Sequence, residues 1–144
     1  MEEEKYTEII DFKDILTNLS KDLWFMSESD EPFEYIEFES ELDITIPLVE
    51  NIAQILNQPV QNINSIEFES FFEKLTFVED WYGESEIGTT KLYEKLASHF
   101  KETFTEKLVI EIRNPENEIE IPIYIFGITP SKKIVGLKTL KIET

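Results

Sequence analysis

Cysteine is absent from the 144 residues, and histidine occurs once, at His99. The first absence excludes a disulfide framework, a thiolate metal site and a cysteine nucleophile; the second excludes a multi-histidine zinc site. Glycine is scarce as well. Gly83, Gly88, Gly127 and Gly136 form neither GxGxxG nor GxxxxGK[ST], the patterns whose backbone amides cradle phosphates, so nucleotide binding has no support. Positive charge is also in short supply, with 13 Lys plus Arg against 31 Asp plus Glu and a formal charge of -18. Such an excess repels phosphate backbones and anionic lipid and favours basic partners, so neither nucleic acid nor membrane is an expected partner. No stretch approaches the ~20 apolar residues of a membrane span. The opening MEEEKYTEIIDFKD lacks a basic start followed by an apolar run of roughly 7 to 15 residues, so no secretory signal is expected and the cytoplasm is the expected compartment.

What is present suffices for one core. The chain is 41% hydrophobic and 12% aromatic, including 11 Phe, and shows no internal repeat, low-complexity tract or Gly/Ser linker, so a single domain over 1–144 is expected, and a monomer with it. The charge is uneven. Residues 1–80 hold 21 acids and 4 bases, net -17, and residues 81–144 hold 10 acids and 9 bases, net -1. A one-signed field in the first half raises the local concentration of a cationic partner, although solubility alone would also account for it.

Apolar residues Ile9, Ile10, Phe12, Ile15, Leu16, Leu19 and Leu23 recur at spacings of three and four, which predicts a helix over about 7–22. Residues 27–32 read as a loop, because Ser and Asp favour local side-chain bonds and Pro32 bars a helical residue before it. A strand from Phe33 follows, buried on both faces at its start. Helices are predicted over about 46–57, with Pro47 in the first turn, over 67–75, and over 87–105 with Thr89 or Thr90 as N-cap. An Asn-rich linker at 57–64 separates the first two. From about 107 the period changes to two, giving a three-stranded meander through Leu108–Ile112, Ile119–Ile125 and Lys133–Ile142. The fold class is therefore α+β, a three-layer α/β/α sandwich with a mainly antiparallel central sheet.

Chemistry is harder to find. His99 could serve as a general base, but its apolar neighbours on the helix favour a packing role, and no Ser or Asp partner stands at a telling spacing. Carboxylates are so numerous that no pair stands out as an acid and base dyad. The loop Glu28–Glu31 offers oxygen ligands without the alternating acids and glycine of a calcium loop, so neither metal nor cofactor is expected. Two features resist a packing explanation. The tip of Phe25–Asp30 lies between apolar blocks and should project carboxylates, and Asp80-Trp81-Tyr82 places two aromatics off any helical or strand stripe. Exposed Trp and Tyr are favoured interface anchors, although a lid over the core is equally compatible with that position.

The block Phe25-Met26-Ser27-Glu28-Ser29-Asp30-Glu31-Pro32-Phe33, the pair Asp80-Trp81, the strand containing Tyr124-Ile125-Phe126-Gly127-Ile128-Thr129 and the ending Gly136 to Thr144 resemble the nuclease A inhibitor family, in order and over nearly the whole chain. That resemblance implies a small acidic α/β/α protein, not an enzyme, that blocks a sugar-non-specific, metal-dependent nuclease of the ββα-metal type. By position, Glu28 corresponds to the glutamate that reaches toward the nuclease's catalytic metal and its bound water. Asp80 and Trp81 match an interface pair, and Thr144 matches the terminal threonine that approaches the metal. A hard divalent cation prefers oxygen ligands, so a carboxylate and a terminal threonine can fill the phosphate's place without offering a bond to cleave. Lys132, Lys133, Lys138 and Lys141 place positive charge on the last strand, where it either pairs with acids of the nuclease or weakens docking. Two other functions compete: an acidic module for a different basic protein, and a hydrolase using Glu28 with Asp30 or Asp80.

Overall fold

The computed structural model describes residues 12–144. Its first helix, α1, is described over 12–20, and the predicted start of that helix lies outside the described residues. Phe12 and Leu16 are buried as the periodicity requires, whereas Ile15 turns toward solvent. The Ser20 hydroxyl donates to the Leu16 carbonyl at 2.7 Å at the helix end.

The segment predicted as loop holds a small hairpin. Strands β1 (Trp24–Met26) and β2 (Asp30–Pro32) pair antiparallel, with Met26 opposite Asp30 and Ser27, Glu28 and Ser29 at the tip. Three-residue strands are too short to display a period, and the Ser, Asp and Pro content that argued for a loop belongs to the tip and the edge. Strand β3 (Glu34–Phe38) follows.

Helix α2 (Leu48–Leu56) begins after Pro47, which is the N-cap and not a first-turn residue, and ends at Asn57 in the left-handed region with φ 54°. The buried Asn51 side chain accepts from the Asp43 N–H at 2.8 Å and donates to the Asp43 carbonyl at 3.0 Å, fixing the preceding loop. The predicted linker is in part structured: a 3-10 turn at Val60–Asn62 leads into strand β4 (Ile63–Ile66). An edge strand with two polar residues between two isoleucines gives little sequence signal.

Helix α3 (Phe68–Thr76) buries Phe68, Phe71 and Phe72. Helix α4 (Glu84–Thr103) starts several residues before the predicted Thr89 or Thr90 cap. Its N-cap is Gly83, whose N–H donates to the Glu86 carboxylate at 3.1 Å, so a glutamate reaching back from the first turn sets the start. Thr89 and Thr90 instead bond to carbonyls of the preceding turn.

Strands β5 (Lys107–Ile112), β6 (Glu120–Ile128) and β7 (Ile134–Ile142) form the expected meander. The main sheet has the order β3-β7-β6-β5-β4 with every pair antiparallel, and the β1–β2 hairpin stands as a second sheet. Alternation along the strands creates two cores. Val109, Ile123, Ile125, Val135 and Leu137 pack with residues of α1, α3, α4 and Phe25 of β1. Ile110, Ile112, Tyr124, Phe126, Ile128 and Ile134 pack with Ile52, Ile55 and Leu56 of α2. Gly127 is required where β6 passes under the Phe104 ring: a Cβ there would collide with it.

Candidate functional site

Three segments meet at one end of the molecule. Phe25 anchors the hairpin by burying its ring 6.1 Å from Phe71 and 6.4 Å from Phe33. Period-two alternation then turns Trp24 and Met26 outward, 51% and 71% exposed, and the Tyr93 hydroxyl holds the Trp24 carbonyl at 3.0 Å. The tip is tied to the end of the chain. The Ile142 N–H donates to Ser27 Oγ at 2.9 Å, and the Glu28 N–H points to the Ile142 carbonyl at 3.4 Å.

Thr144 completes the connection. Its backbone N–H and its hydroxyl each donate to Glu28 Oε2 at 2.6 Å, joining residues 116 positions apart. Both side chains are exposed. Hydrogen bonds to a carboxylate acceptor are short and strong, and both of these donors fall on the one oxygen, Oε2.

The tail is held from the other side as well. The Glu143 N–H donates to the Ile119 carbonyl at 2.9 Å, and the Glu143 carboxylate receives Arg113 Nη1 and Nη2 at 3.0 and 3.2 Å and Lys141 Nζ at 2.8 Å. These bonds, Arg113 first and Lys141 second, hold the Glu143 carboxyl down at a pKa of about 2. Arg113 Nε also donates to Glu111 at 2.7 Å, and Asn64 donates to the same oxygen at 2.9 Å. Burial would raise the Glu111 pKa, but these bonds and the nearby Arg113 and Lys141 charges outweigh it, and the group stays below its ordinary value.

Beside the hairpin lies a hollow of about 370 Å³ whose lining includes Trp24, Met26, Trp81, Tyr82 and Tyr93. Trp81 is 72% exposed and meets Tyr82 edge to face at 4.6 Å between ring centroids, so it is not a core lid. Asp80 is exposed on the same turn. The structure thus joins Glu28 to Thr144 directly, sets Trp81 on the same hollow as Trp24 and Met26 of the hairpin, and leaves Asp80 beside Trp81 in the chain; among the described residues no hydrogen bond links Asp80 to Glu28 or Thr144.

The remaining candidates separate from this end. His99 lies on α4 with Nδ1 3.3 Å from the Thr103 hydroxyl and with a buried Nε2 that has no partner among the described residues. Burial lowers its pKa, partly offset by Glu102. Of the four lysines, Lys141 binds Glu143 and Lys138 lies over the Tyr124 ring, 5.6 Å from its centroid. Lys132 and Lys133 occupy the turn before Ile134 and not the last strand where they were expected, a strand length of roughly 27 Å from the tail. Arg113 and Glu111 went unrecognised in the sequence. Their signal, charges alternating with the apolar positions of β5, is easily mistaken for a solvated strand face.

Among the described residues no group of three or more His, Cys, Asp or Glu could hold a metal, and no helix is long and apolar enough to cross a membrane. No curated protein matches the chain. The family model described as nuclease A inhibitor-like protein matches residues 11–144, nearly the whole length, and the chain belongs to that family.

Proposed function

We propose that this protein inhibits a sugar-non-specific, metal-dependent nuclease by inserting Glu28 and Thr144 into its cleft, with Asp80 and Trp81 gripping the rim. The observation that carries this reading is the double hydrogen bond from Thr144 to Glu28 Oε2 at 2.6 Å. It holds the exposed Glu28 carboxylate and Thr144 together as one unit, and a carboxylate supplies the oxygen ligand that a hard cation accepts where a scissile phosphate would sit. The cation belongs to the nuclease. The acidic first half of the chain steers that point toward a groove built to attract nucleic-acid backbones, and Trp81 supplies a rigid apolar anchor beside it.

Titration into DNA digestion by nucleases of this class tests the proposal directly. Cleavage should fall to zero near one equivalent. Undiminished cleavage at a severalfold excess would overturn it and favour the competing reading, an acidic module for another basic protein. Glu28→Ala should weaken inhibition by roughly 30- to 1000-fold, the range of an interface hot spot of about 2–4 kcal/mol, with an unchanged circular dichroism spectrum. Two residues appended after Thr144 should act similarly, because the chain end would no longer fit the cleft.

A further inference from the structure

We infer that Arg113 is the positioning residue of the inhibitory tip, clamping Glu143 so that Thr144 is already in place on Glu28 before any partner arrives. The inference rests on the proposed inhibition by Glu28 and Thr144, and adds to it a residue more than a strand away in sequence.

The chain carries twelve lysines and a single arginine. That arginine occupies a place where a planar fork is needed. Its two terminal nitrogens engage both oxygens of Glu143 at 3.0 and 3.2 Å, while Nε engages Glu111 at 2.7 Å. A lysine ammonium, a point donor on a flexible stem, could not span both carboxylates in this way.

The register explains how the fork is aimed. Glu111 lies opposite Asn64 on β4 and opposite Ile123 on β6; Ile123 in turn lies opposite Thr139 on β7. With a period of two, Glu111 and Arg113 on one strand end and Lys141 and Glu143 on the other project from the same face. Glu111 is 5% exposed and its Oε1 also accepts from Asn64, so the base of the clamp is buried and fixed. Its outer half, Arg113 with Glu143, is partly exposed and bidentate. One residue further on, Thr144 makes its two bonds to Glu28.

A chain end ordinarily frays, and fixing one residue's backbone costs the equivalent of roughly 5- to 30-fold in an equilibrium. The clamp removes that cost from association. Releasing it should therefore weaken inhibition without altering any group that enters the cleft.

The test uses the full-length protein with Arg113→Gln, Arg113→Lys and Glu143→Gln. Glu143→Gln opens the clamp without uncovering the buried Glu111, so it remains informative where Arg113→Gln fails to fold. Each Gln variant should lose about 5- to 30-fold in inhibition constant, chiefly through slower association, and Arg113→Lys should recover only part. In the free protein the Thr144 amide should lose hydrogen-exchange protection in both Gln variants. In Arg113→Gln the Glu143 carboxyl should titrate well above the wild-type value of about 2. Wild-type protection of Thr144 together with inhibition within twofold of wild type would overturn the clamp. Should the wild type not inhibit at all, the proposed function fails, and protection of Thr144 lost or kept in the variants still decides whether Arg113 orders the tail.

Discussion

The pairing of Glu28 with Thr144 yields the sharpest quantitative expectation, a coupling energy between two positions 116 residues apart. Thr144→Val removes the hydroxyl donor at 2.6 Å while keeping the branched shape and the backbone N–H donor; Glu28→Gln removes the negative charge at constant volume. Both groups are exposed in the free protein, where solvent competes, so neither change should move folding stability by more than about 0.5 kcal/mol. In a water-excluding cleft the same hydroxyl bond to a carboxylate is worth about 1.5–3 kcal/mol. Thr144→Val alone should therefore weaken inhibition by roughly 10- to 150-fold. Once Glu28→Gln has removed the charged acceptor, the second change should cost far less. The assay is the rate of DNA cleavage at fixed nuclease and increasing inhibitor for the four proteins of the cycle, with thermal unfolding as control. Losses that add within about 0.3–0.5 kcal/mol would refute the idea that the two residues act as one unit.

Trp81→Ala should leave the unfolding midpoint within about 0.5 kcal/mol of wild type, because the ring is 72% exposed, yet weaken inhibition by 2 kcal/mol or more on the order of a hot-spot aromatic. Unchanged potency in the cleavage assay would remove Trp81 from the interface. Gly127→Ala should destabilise the fold by about 1–3 kcal/mol in urea unfolding, since the new methyl meets the Phe104 ring within a packed core. His99 gives an acid dependence of defined sign. Burial lowers its folded pKa below the unfolded value, so the unfolded chain binds the proton more readily and stability falls as pH drops from about 6.5 toward the folded pKa. The difference in urea midpoint between wild type and His99→Leu should change across that window and be flat above it; a difference that is flat throughout would contradict the linkage.

The legible parts of the molecule are those whose burial repeats. Leu92, Leu96 and Phe100 mark α4 and the isoleucines mark β6, because a helix or strand with one buried face must repeat its apolar residues at that element's own period. β1, β2 and β4 escaped because three or four residues cannot display a period, and at Ile63–Ile66 only the end residues are apolar. The start of α4 was misplaced for another reason. Thr89 and Thr90 have the chemistry of a cap, but the bond that sets the boundary is donated by the Gly83 N–H to the Glu86 carboxylate. In the candidate site, Thr144 came from resemblance, Glu28 also from the polar tip between apolar blocks and Trp81 also from its position off any stripe, whereas the local alternation around Arg113 does not reveal its role, which depends on Glu143, 30 residues away and two strands across.

That dependence also bears on how so acidic a chain keeps a carboxylate-bearing end folded back on a glutamate. Glu28 is bonded to Thr144 and the Glu143 carboxylate directly precedes that residue, and like charges left unpaired so close together would splay the tail into solvent. The two donors of Thr144 satisfy the Glu28 charge locally, and the Arg113 and Lys141 cations neutralise Glu143 immediately before it. In the proposed complex the nuclease's divalent cation would meet a Glu28 carboxylate that Thr144 already holds in place. On the proposed reading the Glu28–Thr144 unit supplies grip, and the part of the acidic field that lies far from the tip contributes to encounter.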